Sequence, residues 1–272
     1  MFSVIFPAHT INFFLALSQL VIFGIIGKAL LNNHTTWENL AVCVATSVIL
    51  EHVLLLITHK KLRYFSVTSL NTPFSTALML ASTNSLVYIP LMVMAVGQKY
   101  VLKIRGKHFQ NPSNLLILAG MLVFPQYLSV NFMKLGIYWW LAIPLAAIGI
   151  FITYKVGIFH MVPAFVVAFL SLMPLLTHLS YAEILPLMFS LNFLLFAFYM
   201  QTDPKTIPST PTFQVVHSFL TVAMIAGFYL LTHRLNLMFY GGLFMAQLFV
   251  PLWRYIEEKT PVDAVVTGLL FD

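Results

Sequence analysis

Between residues 11 and 253 this chain is a succession of apolar stretches joined by polar links, none long enough to be a domain of its own. The stretches run over 11–31, 40–58, 74–82, 86–102, 115–133, 137–154, 158–177, 185–200, 213–232 and 239–253. As a helix rising 1.5 Å per residue, 40–58 reaches roughly 28 Å, close to the hydrocarbon thickness of a bilayer. Charged residues are only 8% of the 272, too few to cover a soluble domain of that size, and hydrophobic residues are 60%. The expected fold is an all-α integral membrane protein: a single membrane domain over 1–272 with about ten membrane segments.

Cys43 is the only cysteine, which excludes an internal disulfide and a zinc or Fe–S site ligated by cysteines of this chain alone. Residues 1–10 lack Lys and Arg and 11–31 is long enough to span, so a cleavable signal is not expected. The net charge of +6 does not point to nucleic acid, because the cations sit at segment ends and in short links. Lys60, Lys61 and Arg63 crowd one link, and Lys99, Lys103, Arg105 and Lys107 another. Excess Lys and Arg marks the cytoplasmic face. With alternating segments, Lys155, Arg254 and Lys259 fall on that face too, while Lys28, Lys134 and Arg234 fall opposite. Both termini are therefore expected inside, in a bacterial cytoplasmic membrane. Tyr138, Trp139, Trp140, Tyr240, Trp253 and Tyr255 suit the interfacial belts.

Two segments are short. Stretch 74–82, entered through Pro73 and stopped by Ser82-Thr83-Asn84-Ser85, is half a span, and 185–200 is also brief. Each stands third in its half of the chain. Paired short segments at corresponding positions point to an inverted repeat with a site at mid-membrane. The expected repeats cover about 11–135 and 136–256.

Four polar constellations lie near these breaks. Gln201-Thr202-Asp203-Pro204-Lys205-Thr206-Ile207-Pro208, with Thr210, separates two apolar stretches and reads either as an aqueous loop or as the broken part of a helix lining a site. Asp203-Pro204 fits a turn, or an N-cap with proline in the first helical turn. Ser69-Leu70-Asn71-Thr72-Pro73 places small hydrogen-bonding side chains where the first half-helix would begin, as caps or as a ligand mouth. Lys103 to Asn114 combines a basic anchor with Asn111-Pro112-Ser113-Asn114, where Asn111 or Ser113 can cap the next helix. Glu51-His52 lies well inside 40–58, so the carboxylate is protonated, paired or facing a cavity, or reaches toward the membrane surface. The chain contains no phosphate-binding loop, dinucleotide fingerprint or Ser/His/Asp set, and its histidines lack the spacing of a haem or binuclear metal site.

The order of a half-helix, then Gln110-Asn111-Pro112-Ser113-Asn114, then Thr202-Asp203-Pro204-Lys205-Thr206 resembles the D subunit of Rnf electron-transport complexes and the related B subunit of the sodium-translocating NADH:quinone reductase. The similarity runs over roughly 40–261. Arg105-Gly106-Lys107-His108 before Asn111-Pro112, and Ser82-Thr83-Asn84-Ser85-Leu86 earlier, look most like the short stand-alone members found in enediyne biosynthesis clusters. The resemblance implies two inverted five-segment repeats, flavin binding, and transmembrane electron transfer linked to cation movement. Large-complex members esterify FMN to a Thr between the halves. Here that connection, 125–136, has no Thr, so covalent FMN is not expected. A small-residue element that opens the later half-helix in the family reads Phe189-Ser190-Leu191-Asn192 here.

The resemblance therefore implies a non-covalent flavin (FMN or riboflavin) or a quinone, held by Asn71, Thr72, Asn111, Asn114, Ser190, Asn192, Thr202, Asp203 and Thr206. Arg105 and Lys107 would stand at its rim, and Glu51 would be an ion relay. Membrane lipid and redox proteins are the expected partners, and no metal is expected. A channel or carrier for a small polar or flavin-like solute is the rival expectation.

Overall fold

Prolines and buried hydroxyls decide where the helices of this protein break. The structure, a computed structural model, describes residues 16–22, 24, 28, 34–59, 68–104, 106–131 and 136–259. Most of segment 11–31, together with Lys60, Lys61, Arg63, Arg105 and Lys134, lies outside them. The described residues are predominantly helical. Three helices among them are long and apolar enough to cross a membrane: Trp37–Thr58, Trp139–Val156 and Pro211–Thr232. Shorter apolar helices occupy Ser85–Val101, Pro112–Val123, Met161–Thr177 and Leu191–Met200. The chain forms two compact units, one drawn from Met1–Val101, Pro112–Leu141 and Ser190–Asn192, the other from Leu102–Asn111, Ala142–Phe189 and Phe193–Asp272.

In the first unit, α1 (Trp37–His59) packs against α2 (Thr68–Met79) and α3 (Tyr88–Val101), and α4 (Pro112–Val123) packs on both α2 and α3. The expected half-helix 74–82 is displaced. Helix α2 begins at Thr68, carries Pro73 in its interior and stops at Met79. Pro73 has no N–H, so the Ser69 carbonyl loses its helical donor. The buried Ser47 hydroxyl of α1 donates to that carbonyl at 2.7 Å, which lets the helix continue through the proline. Asn71 and Thr72 thus sit inside a helix and cap nothing.

After Met79 the chain extends as β1 (Leu80–Ser82), fully buried and antiparallel to β4 (Leu128–Val130), with Leu80 opposite Val130 and Ser82 opposite Leu128. The expected segment 115–133 is accordingly a helix to Val123, a turn, and then this strand. Unwound backbone in an apolar interior needs internal partners. Asn131 N–H donates to Met79 O (2.8 Å), and Thr35 Oγ1 (2.9 Å) and Tyr88 Oη (2.6 Å) donate to Leu80 O. Asn39 Nδ2 donates to Ser82 O at 2.9 Å.

The second unit opens with a hairpin, β2 (Lys103–Ile104) against β3 (Lys107–His108), turned at Gly106 with φ +77°. Then come α5 (Ala142–Val156), α6 (Met161–Thr177), α7 (Tyr181–Met188), α8 (Leu191–Leu195, whose first two residues cluster with the first unit), α9 (Pro211–Thr232), α10 (Met238–Gln247) and α11 (Val250–Lys259). The expected single segment 239–253 is two helices. Helix α9 packs against α6 and α10. Gly241 and Gly242 permit the second contact: a Cβ on Gly242 would strike the Ile225 backbone, and one on Gly241 the Phe228 ring. Phe165, Phe169, Phe193, Phe196 and Phe239 form a buried aromatic cluster with ring centroids 5.1–6.0 Å apart. Trp139, Trp140 and Tyr255 are exposed, whereas Tyr240 is buried and belongs to the core instead of an aromatic belt.

Candidate functional site

Helix α8 does not end cleanly. It runs into a π-turn over Phe196–Met200, closed by Gln201 N–H donating to Phe196 O at 2.9 Å. Such a bulge inserts one residue and rotates the chain beyond it. Thr202 Oγ1 donates back to Phe198 O at 2.6 Å. Pro204 then removes the N–H that would have continued the helix to Met200 O. The chain turns instead: Asp203 Oδ1 accepts from Lys205 N–H (3.0 Å), and Asp203 O accepts from Thr206 N–H (2.9 Å). Of the two forms open in the sequence, Asp203 makes the turn. The N-cap of α9 is Thr210, with Pro211 at its first position.

Four pieces of the second unit hold this turn. Asn111 Nδ2 reaches Asp203 Oδ2 at 3.4 Å and Met200 O at 3.5 Å. Gln247, the last residue of α10, accepts from Asn111 N–H through Oε1 (2.9 Å) and donates through Nε2 to Thr206 Oγ1 (3.0 Å). From α11, Arg254 Nη2 donates to Lys205 O (2.6 Å) and Ile207 O (3.3 Å). Glu257 accepts from Ser209 N–H (2.9 Å), Thr210 N–H (2.8 Å) and Thr210 Oγ1 (2.9 Å), placing a carboxylate at the positive start of α9. On α9, Gln214 Nε2 donates to Pro208 O (3.0 Å), and Ser218 Oγ accepts from Gln201 Nε2 (2.8 Å). Gln110, Asn111, Gln201, Thr202, Thr206, Gln214, Ser218, Gln247 and Arg254 are all buried. The irregular chain between α8 and α9 thereby finds its partners within the protein.

Of the residues expected at one site, the structure brings Asn111, Thr202, Asp203 and Thr206 together. Asn71, Thr72, Asn114, Ser190 and Asn192 belong to the first unit, where Ser113 Oγ donates to Thr72 O at 3.3 Å. Lys107 is exposed on β3, and Arg105 is outside the described residues. Glu51 is buried and partnered: Tyr100 Oη donates to its Oε1 at 3.2 Å, and Lys99 Nζ stands 3.8 Å from its Oε2. Among the described residues no group of three or more His, Cys, Asp and Glu side chains is placed to hold a metal ion.

Sequence reasoning named Gln201 in the break and Arg254 among the cytoplasmic cations without giving either a site role, and missed Gln214, His217, Ser218, Gln247 and Glu257. A signal was present in stretch 213–232. Gln214, His217, Ser218 and Thr221 recur at i, i+3, i+4 and i+7, the spacing of one helix face, and all four are buried. Among the described residues, neither ring nitrogen of His217 has a hydrogen-bond partner, nor do Oε1 of Gln201 and Oε1 of Gln214. No protein-family model matches this chain, and no curated protein matches it.

Proposed function

We propose that this chain is an integral membrane protein of the bacterial cytoplasmic membrane, built from two oppositely oriented five-segment repeats with both termini inside. In this reading it binds a flavin or quinone without a covalent bond and takes part in transmembrane electron transfer coupled to cation movement. The observation that carries the reading is the buried amide layer at the 201–210 break, where Asn111, Gln201, Gln214 and Gln247 hold the irregular chain among other buried polar side chains. Buried polar groups in a membrane segment mark function more often than structure, because each is costly without a partner. Amides offer both donors and acceptors, which suits the mixed edge of a flavin ring. The resemblance to Rnf D-type subunits supplies the ring chemistry. The pairing of Glu51 with Lys99 gives that carboxylate a structural partner, so its relay role requires the pair to open.

Protein purified in detergent should carry flavin absorbance near stoichiometric amount, or bind added riboflavin, FMN or quinone. A colourless preparation that binds none of the three removes the redox reading. A second reading, a channel or carrier for a small polar solute, is favoured by the polar face of α9, which runs two turns into a candidate membrane span. Solute flux into proteoliposomes without any bound flavin would select it.

A further inference from the structure

Counting lone pairs in the second unit leaves a surplus on one side of the turn. The Gln201 amide is held by its nitrogen, which donates to Ser218 Oγ at 2.8 Å, so its Oε1 is the end left over. The Gln214 amide is held the same way, by Nε2 donating to Pro208 O at 3.0 Å, and again Oε1 remains. His217 lies three residues beyond Gln214 and adjacent to Ser218, on the same buried face of α9. Its neutral ring adds one lone pair and one N–H. Gln201 and His217 are fully buried and Gln214 is 5% exposed. With the second N–H of the Gln201 amide counted, five lone pairs on two amide oxygens and one ring nitrogen stand against two N–H groups, in a place where buried polar groups are ordinarily satisfied.

We propose that Gln201, Gln214 and His217 form a binding site for a small uncharged ligand rich in N–H or O–H donors. Its lack of charge is set by the surroundings. The site is at the amino-terminal end of α9, where the helix dipole is positive and opposes a cation. The carboxylates of the same loop region are committed elsewhere, Asp203 to Lys205 N–H and Glu257 to Ser209 and Thr210. Its donors answer the acceptor surplus. A ligand with acceptors only, such as an oxidised quinone carbonyl pair, leaves both amide oxygens unmet; the site shares Gln201 and Gln214 with the proposed function and calls for a donor-bearing ligand instead of the quinone.

The experiment uses two matched pairs on the full chain in detergent micelles, with empty micelles as the blank. Acetamide carries N–H donors and N,N-dimethylacetamide does not. Ethylene glycol carries O–H donors and 1,2-dimethoxyethane does not. Saturation-transfer NMR should show the donor-bearing member binding about tenfold more tightly in at least one pair, the ratio expected for one hydrogen bond made or lost. The pair that discriminates tells amide from polyol. Gln214→Met and His217→Phe should each reduce that ratio toward one. Equal binding within both pairs, or no binding because ordered water alone fills the site, overturns the proposal. So does an undiminished ratio in both variants. Wild-type discrimination is read without any variant, so a misfolded substitution does not blur the result. Discrimination together with absent flavin and quinone would keep this site and remove the redox function; flavin binding without discrimination would do the reverse.

Discussion

Asn111 and Gln247, 136 residues apart in sequence, are joined by a buried hydrogen bond of 2.9 Å from the Asn111 backbone N–H to Gln247 Oε1. The other end of the same amide donates to Thr206 Oγ1, so one side chain satisfies two irregular segments. Replacing it with Leu fills the space and removes both bonds. Gln247→Leu should cost about 1–3 kcal/mol, the range for taking the partner of one buried N–H away, since the Thr206 hydroxyl keeps its bond to Asp203 O. Thermal unfolding in detergent checks this. A double-mutant cycle with Thr206→Val should show coupling, because the two side chains are joined directly by a hydrogen bond.

Pro73 and Ser47 make a sharper pair. Ser47→Ala should destabilise by about 1 kcal/mol, because it removes the hydroxyl that donates to the Ser69 carbonyl in place of the missing Pro73 N–H. Adding Pro73→Ala restores the helical N–H and should recover most of that loss. If the double variant unfolds at the temperature of Ser47→Ala alone, the proposed compensation is wrong.

Glu51 and Lys99 form a nearly buried ion pair. Glu51→Gln should cost about 1–3 kcal/mol, because it removes the charge that faces a nearly buried lysine, and Lys99→Met should cost a similar amount by leaving the carboxylate with the Tyr100 hydroxyl in place of an ion pair. The combination Glu51→Leu with Lys99→Met should lie close to wild type. Unfolding midpoints of the three variants test this. A double variant as unstable as the two single losses added together would show that the pair is not the reason for the burial.

Helix α7 should respond to pH at its first turn. Ser180 donates to the Glu183 carboxylate through its N–H (2.9 Å) and its hydroxyl (2.8 Å), holding that carboxyl below its ordinary 4.5. A depressed acid stabilises the folded form above its unfolded pKa, and the contribution fades as pH falls through the folded one. Amide exchange in Tyr181–Met188, corrected for intrinsic rates, should therefore lose protection below pH 4.5. Ser180→Ala should weaken that dependence without abolishing it, because the backbone N–H bond to the carboxylate, the larger cause, remains.

The helical class of the chain and the presence of helices long and apolar enough to cross a membrane were legible because they rest on hydropathy and length. The start of α9 is expected at 213 from the apolar run and could have been read at Thr210-Pro211, a local cap signal at its edge. The course of α2 was not legible, because Pro73 reads locally as an entry point, and the hydroxyl that donates to the Ser69 carbonyl in place of its missing N–H belongs to Ser47, 22 residues away. The break between α10 and α11 could have been read from Pro251, which sits at the second position of the later helix. In the candidate site, Asn111, Thr202, Asp203 and Thr206 stand out as motif residues. Gln247 does not, since a single amide in an apolar stretch carries no local signature until the fold gives it partners. The polar face of α9 was visible by periodicity and was overlooked because the average hydropathy of 213–232 masks it.

Whether the amide layer holds a redox ring can be decided by weighing the intact protein. Native mass spectrometry of the full chain released from micelles should show a species heavier by one flavin or one quinone, depleted in Gln247→Leu. A spectrum containing only the chain at its sequence mass, with lipid adducts unchanged by that substitution, would contradict the proposed function.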